Sequence, residues 1–514
     1  MASFNLTDKA WVPVIMQNGD NILLSLNDVF SKSHEIREIH SDSVLETISI
    51  YRFLQALLIR IYNVNEEDNW LSIWEEGKFD AAPAKEYFTK WFARFDIFDK
   101  DRPFYQSTQT LSPDNTAFFK LRHENSSANA ATLFDHTYDA QEIAVPIWRI
   151  PALLITAQSY SVGGGISKPF NFSGSPLIGG CTFWIKEEVL FKSLLLNTDS
   201  DNIHIRQDTI PSWERDYCVK CISRVPEDYL DYLTWQSRSI KFVCDDECFD
   251  NNGNMIFSNQ KAKMYFHQGD RLDAEFEDPL MAKKAGKDKV LSVRFDKEKA
   301  LWRNAEVLFK NEEINGVRTS KNLSFVKGEC YRLGYDLTHK FEIEAYGLLN
   351  DQAKIIFIKK EILSFFPSLM QKEREHLIPA FLTLADEQSK ILYFALFSLG
   401  RNILYSSKDE NAKLSTDEKN DVNRFIKSLS IEKNYWTSLE TLFLIYLEKA
   451  AAAEFNEDEF SDYQEYIKKE IFKTAKNAFG NSTKNFDTNA KNIRAITKAN
   501  QKLYPINKKE NTNG

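Results

Sequence analysis

The sequence predicts an α+β fold: a large mixed α/β N-terminal domain over residues 1–370, then an all-α four-helix bundle over residues 371–505, then a disordered tail at 506–514. Two observations carry this. Before about residue 370, short β-like runs are interleaved with segments of helical periodicity; after it, long amphipathic segments follow one another with short polar breaks. The bulk numbers agree, since 514 residues, 43% hydrophobic and 13% aromatic, suffice for more than one buried core.

In chain order, "WVPVIM" and "NILLSL" flank a turn at Gly19 and Asp20 and predict an opening strand pair. Ser43 and Glu46 form an S-x-x-E capping box ahead of "VLETISIYRFLQALLIRIY", whose apolar spacing predicts a deeply packed helix. Residues 105–140, rich in Ser, Thr, Asn and Asp, read as a long loop of the kind that is functional or disordered. From 201 to 345 the pattern is mostly β, with turns at "DNNGN" and "HQGDR". In the helical part, Ser461 and Gln464 form a capping box and Gly480 stands where a C-terminal cap belongs.

The start, "MASFNLTDKAWVPV", has no basic segment followed by a continuous apolar run, and "ILYFALFSL" is about half of the ~20 residues a membrane span needs. A soluble cytoplasmic protein with no membrane contact is expected. Six cysteines are too few for a disulfide framework in so long a chain. Cys218 and Cys221 form a CxxC and Cys244 and Cys248 a CxxxC, a spacing compatible with tetrahedral zinc. The loose second pair and the lack of a knuckle glycine favour four reduced cysteines near a core instead, so no metal site is assigned.

The net charge of −9 argues against a protein that binds nucleic acid unaided. The charge is unevenly spread: from Lys468 onward there are eleven Lys/Arg against three Asp/Glu, a net of +8, which leaves −17 for the rest. "KKAGKDKVLSVRFDKEKALWR", Lys283 to Arg303, holds eight basic and three acidic residues. Such strips suit a chain that touches a polyanion at chosen places while a partner supplies the main charge, although basic faces are commonly just solvated.

No catalytic residue or cofactor site emerges. "QSYSVGGGISKPFNF", Gln158 to Phe172, matches neither G-x-x-x-x-G-K-[ST] nor G-x-G-x-x-G. The eight histidines form no HExxH, and there is no G-x-S-x-G. Asp135 beside His136 in a polar loop reads as a capping or hydrogen-bonding pair. The three glycines admit two readings: a bend or bulge at a strand end, or a backbone that must lie against a ligand.

The order of several motifs is more telling than any one of them. "FNLTDKAWVPV" (4–14), "HEIREIHSDSVLETISIYRFLQALL" (34–58), "FDIFDKDRPFYQ" (95–106), "TLFDHTYD" (132–139), "GGGISKPFN" (163–171) and "YLTWQSRSIKF" (232–242) together resemble the CasA family, the large subunits of the type I-E CRISPR surveillance complex Cascade. The resemblance runs in register over the first ~240 residues and more faintly to the helical part. It implies a non-catalytic antiviral-defence subunit that recognises the PAM flanking a target in double-stranded DNA, starts duplex opening and R-loop formation, and helps recruit a helicase-nuclease. Its implied partners are the other Cascade subunits and the guide crRNA. The implied fold is a large mixed domain followed by a four-helix bundle.

Residue by residue, the family's glycine loop matches Gly163, Gly164 and Gly165, implying a backbone along the PAM minor groove. Its groove-inserting lysine matches Lys263 in "QKAKMYF", with Lys261 as the other choice. Its glutamine wedge matches Gln352 in "LLNDQAK", beside Asn350 and Asp351, the last a departure from the family's asparagine-rich tip. Its loop aromatic matches Phe134. The family's zinc site does not transfer to the four cysteines. Two other classes stay open: a nuclease, which would cleave DNA with a metal and a carboxylate cluster, and a scaffold subunit without DNA contact.

Overall fold

The computed structural model describes residues 3–108, 116, 118–123, 144–164, 172–198, 205–206, 208–216, 219–244, 256–258, 262–273, 276–310, 312–408, 412–452 and 456–506. The tail expected at 506–514 falls, but for its first residue, outside this set, as do most of the loop before residue 144 and the "DNNGN" turn. The chain divides into two compact units, residues 1–308 with 312–365, and residues 366–514 with 309–311.

In the first unit, strands Val12–Met16 and Asn21–Leu24 pair antiparallel around Gly19 at φ +90°, and Ile36–Ile39 adds to the other side of the first strand. The helix Val44–Tyr62 starts as the sequence predicts: the Ser43 side chain accepts from the Glu46 N–H, and Asn63 ends the helix in the left-handed region. It is buried along nearly its whole length. Its one buried cation, Arg52, is paired with Asp278 at 2.5 Å and bonded to the Tyr229 hydroxyl at 2.7 Å and Gln55 at 3.0 Å, so the charge is neutralised rather than stranded.

Packed on this helix is a second apolar one, Ile150–Tyr160, with Pro151 in its first turn. A three-stranded antiparallel sheet follows, with Phe341–Asp351 in the centre, Lys354–Phe365 on one side and Thr182–Lys186 on the other. The glycine loop connects the Ile150–Tyr160 helix to the turn Pro176–Gly179 that feeds the Thr182–Lys186 strand. This places the loop beside the sheet whose long hairpin carries Gln352.

The stretch 201–345 is less β-rich than its pattern predicts. Paired strands Arg238–Cys244 and Ala262–Gln268 are present, but in place of a turn at "HQGDR" the chain runs through Gly269 and Asp270 into the short strand Arg271–Leu272, and helices Tyr229–Leu233 and Lys321–Glu329 and a 3-10 segment Leu301–Val307 interrupt the run. The other strands between 201 and 340 are two or three residues long, and apolar residues outside them, Val293, Leu301 and Val307 among them, are buried in the core.

The described elements of the second unit are all helices. The helix Leu377–Leu404 is touched by Thr416–Ser428, Ile431–Ala451, Glu457–Thr483 and a fifth, shorter helix, Ala490–Gln501. The reciprocal capping box lies at Ser415 and Glu418. Ser461 and Gln464 stand one turn inside a helix that starts at Glu457, so they are not its cap. Gly480 is likewise interior to that helix, where a Cβ would meet nothing within 4 Å. Gly480→Ala is therefore expected to stabilise this unit by about 0.5–1 kcal/mol, readable as a higher urea midpoint at unchanged slope.

Candidate nucleic-acid interface

The glycine loop leaves its helix at Ser161, and its neck is closed by backbone bonds from Gly164 N–H to Phe172 O and from Ser175 N–H to Ser161 O, both 2.9 Å. Behind the neck lies Arg238, 1% exposed. Its guanidinium donates to the carbonyls of Ser161 (3.1 Å), Val162 (3.1 Å), Ser173 (2.8 Å) and Ser237 (2.8 Å), and its carbon sits 5.2 Å from the Phe172 ring centre. Gln158 holds the Arg238 backbone at both ends, accepting its N–H at 2.8 Å and donating to its carbonyl at 3.0 Å. Gln268 accepts the Ser173 N–H at 2.7 Å.

Burial pushes the Arg238 guanidinium down to about 9. Four carbonyls facing its donors favour the protonated form, so it remains a cation at neutral pH, held by dipoles instead of a counter-ion.

Two of the three glycines are required by the protein's own packing. A Cβ on Gly163 would stand 2.7 Å from the Gly174 nitrogen and 2.9 Å from the Ser173 carbonyl carbon. Gly164 has φ +121°, and a Cβ there would come to 3.1 Å from Ala353 Cβ and 3.2 Å from Ala353 N. Ala353 belongs to the tip of the long hairpin, so the loop and the tip, nearly two hundred residues apart in sequence, lie against each other.

The tip is a two-residue turn, Gln352–Ala353, closing the pair Asp351 and Lys354. Gln352 has φ +51°, in the left-handed region that favours glycine, and Ala353 does not share a positive φ. Holding glutamine there costs on the order of 1 kcal/mol. Its side chain is exposed, as are Asp351 and Gly164. Asn350 works inward: its carbonyl oxygen accepts from Arg294 at 2.9 Å and its amide donates to Gln352 O at 2.8 Å, while Arg294 also donates to Ile178 O at 3.2 Å. Asn350 and Arg294 thus brace the turn against the segment that follows the glycine loop.

Gly163, Gly164, Asn350 and Gln352 are therefore gathered at one edge. Lys263 is exposed near the start of the strand that ends in Gln268, five residues before it and on the strand face opposite Met264 and Phe266. Phe134, Gly165 and Lys261 lie outside the described residues, as do Cys218 and Cys248. Cys221 donates to Gln268 O at 3.1 Å, and burial pushes its thiol up to about 11. Among the described residues no three His, Cys, Asp or Glu stand close enough to hold a metal, and no helix is long and apolar enough to cross a membrane.

The clamp of Gln158, Arg238 and Gln268 is absent from the sequence reading. A signal for part of it exists: in "RSIKF" Arg238 shares the inward parity of the buried Ile240, and Gln268 shares that of the buried Met264 and Phe266. Polar residues at core positions of a strand need partners, and here those partners are the loop's backbone.

The model of the CRISPR-associated protein Cse1 family matches residues 5–478. The chain belongs to this family. A relative in it, the CRISPR-associated protein CasA/Cse1 of Thermus thermophilus, is 22% identical over 463 residues, covering 86% of each chain. The fold agrees with the crystal structure of Thermus thermophilus CasA at a TM-score of 0.80, with 19% identity and 97% of this chain and 98% of that one covered. A chain of a CRISPR RNA-guided surveillance complex matches at a TM-score of 0.72, with 16% identity, 98% of this chain and 100% of that one. The mixed first unit and helical second unit are thus the CasA/Cse1 fold.

Proposed function

We propose that this chain is the large, non-catalytic subunit of a Cascade-type surveillance complex, and that its glycine loop and hairpin tip read the flanking PAM in double-stranded DNA and begin to open it. Membership of the family supports the subunit role, and the match to a chain of an RNA-guided complex supports guide RNA and sister subunits as its partners. The observation that carries the DNA-reading part is the packing of exposed Gly164 against Ala353, next to exposed Gln352. A smooth backbone surface lies beside a protruding amide, an arrangement suited to tracking a minor groove and probing the base step next to it. The minor groove's pattern is degenerate, so several flanks would be accepted.

Gln352 carries both a donor and acceptors on its amide and can bond the edge of a base it displaces. Unstacking one step costs a few kcal/mol, which groove contacts and the growing guide heteroduplex offset. Lys263 adds a cation at a second point of contact; Phe134 and Gly165 keep the roles that the family resemblance implies. Recruitment of a helicase-nuclease belongs to the same reading. The scaffold alternative gains from one observation, that Gly163 and Gly164 already have internal reasons to be glycine.

Two measurements separate these. Guide-loaded complex, assembled with and without this subunit, is titrated at one salt concentration with duplexes carrying a randomised flanking trinucleotide; discrimination that appears only with the subunit is expected, and equal discrimination without it sinks the reading. In Gln352→Gly, the turn gains its favoured residue and loses only the amide. That variant should keep flank discrimination and unfold no more easily, yet open duplex about tenfold more slowly, the kinetic equivalent of one ~1.4 kcal/mol interaction. Unchanged opening would favour the scaffold.

A further inference from the structure

A cavity of 610 Å³ opens in the first unit between the turn Pro176–Gly179 and the strands Lys283–Ala285 and Val290–Ser292. Four of its lining residues are cations, Lys283, Lys284, Arg294 and Lys299. Its other wall is apolar, with Tyr232 and Phe276 stacked at 4.4 Å between ring centres. Both carboxylates on the wall are engaged elsewhere: Asp278 is paired with Arg52, and Asp296 accepts the backbone N–H groups of Glu298 and Lys299. Among the described residues none of the four cations pairs with a carboxylate, Lys284 bonds only the Asn304 amide oxygen, and Arg294 Nε is buried without an acceptor. With Asp278 neutralised by Arg52, four cations face one carboxylate, Asp296, and this local positive excess in a chain of net charge −9 makes a site for an anion.

Charge beside an apolar wall matches a nucleotide, phosphate on one side and base on the other, and the volume lies in the range of a small-ligand site. Position selects which nucleotide. Arg294 lines the cavity and at the same time holds Asn350 under the Gln352 turn, so a base separated at the tip has this cavity one arginine away. We propose that the cavity takes an unpaired nucleotide of the displaced DNA strand, next to the flank, and keeps it from re-pairing. This rests on the reading of the tip given above and deepens it.

The test uses guide complex containing the full chain, bound to a target whose first positions after the flank are a pre-opened bubble, so that the strand is displaced whether or not the tip opens DNA. A thymine at the first displaced position should be at least about fivefold less reactive to permanganate than thymines farther along the strand. Lys284→Gln with Lys299→Gln should restore its reactivity, lower the salt slope of binding by about 1.4, and leave the ratio between flanks on closed duplex unchanged. Full reactivity in the unsubstituted complex, or protection that survives both substitutions, would overturn the proposal. So would binding of thymidine monophosphate to DNA-free complex with the bubble thymine still reactive, since that marks a free-nucleotide site. Loss of flank discrimination on closed duplex, with the bubble thymine still protected, would instead strike at the tip's reading role alone.

Discussion

Gly164→Ala is expected to abolish discrimination between flanks by the assembled complex while leaving the subunit folded. The residue sits at φ +121°, a region that side-chain-bearing residues essentially never occupy, so even a methyl group costs on the order of 1–3 kcal/mol if the backbone stays in place. It cannot stay without crowding Ala353, because the new Cβ would lie 3.1 Å from Ala353 Cβ and 3.2 Å from its nitrogen. Relief comes from moving the exposed loop or the exposed tip, since the buried clamp behind them is fixed. Either movement separates the two elements whose contact defines the edge. The readout is the binding ratio across a randomised flank, paired with thermal unfolding of the free subunit: a drop of a few degrees with the ratio collapsed to one is the expected result. A ratio that survives the same drop would leave the loop without a reading role.

The second large effect is expected at Arg238. Arg238→Met fills similar volume but strips donors from four carbonyls, three of them belonging to the loop neck. Each buried acceptor left unpaired costs roughly 1–3 kcal/mol, and charge-assisted bonds lie at the upper end. The losses do not add simply, yet more than about 4 kcal/mol is expected, in the exceptional range for a single substitution. Arg238→Lys should recover only part of this, since a point-like ammonium cannot face all four carbonyls at once. Denaturant unfolding checks both variants. A pH series adds a sign test. Burial lowers the folded pKa below the unfolded value, so the folded state sheds its proton first; this group's contribution to stability should rise with pH above about 9 in the unsubstituted chain and not in Arg238→Met. Little change in stability on Arg238→Met would mean that the loop neck does not depend on the clamp.

Much of the architecture could be read from the sequence because it follows from local periodicity. The opening strand pair, the Ser43-capped helix and the long helices after residue 370 each rest on spacing within one segment. The misassigned ends, Ser461 and Gly480, show the limit of such signals: a serine with a polar residue three on, or a single glycine, also occurs inside helices when the surrounding apolar stripe continues. The site was legible in its parts and not in its assembly. Gly163, Gly164, Asn350 and Gln352 were each picked out, but nothing local says that residue 164 packs on residue 353, or that Asn350 turns inward to brace Gln352. That information lies in the sheet joining Thr182–Lys186 to the long hairpin, a pairing between distant segments. The positive φ of Gln352 was equally hidden, because glutamine carries no sequence signature for a left-handed turn.

The seating of the hairpin tip on Gly164 also has a mechanical side. Beyond Tyr346, where the third strand ends, the hairpin is two-stranded up to its tip and would, if free, bend under load at its end like a thin cantilever. Here the end rests on a prop. Recoil from anything the tip presses into passes through Ala353 to the loop, then through the Arg238 clamp to the buried helix Ile150–Tyr160, while Asn350 and Arg294 form a second strut to the adjoining turn. The stiffness of the protrusion is thus set by its two supports, and softening either one would let the tip yield under load.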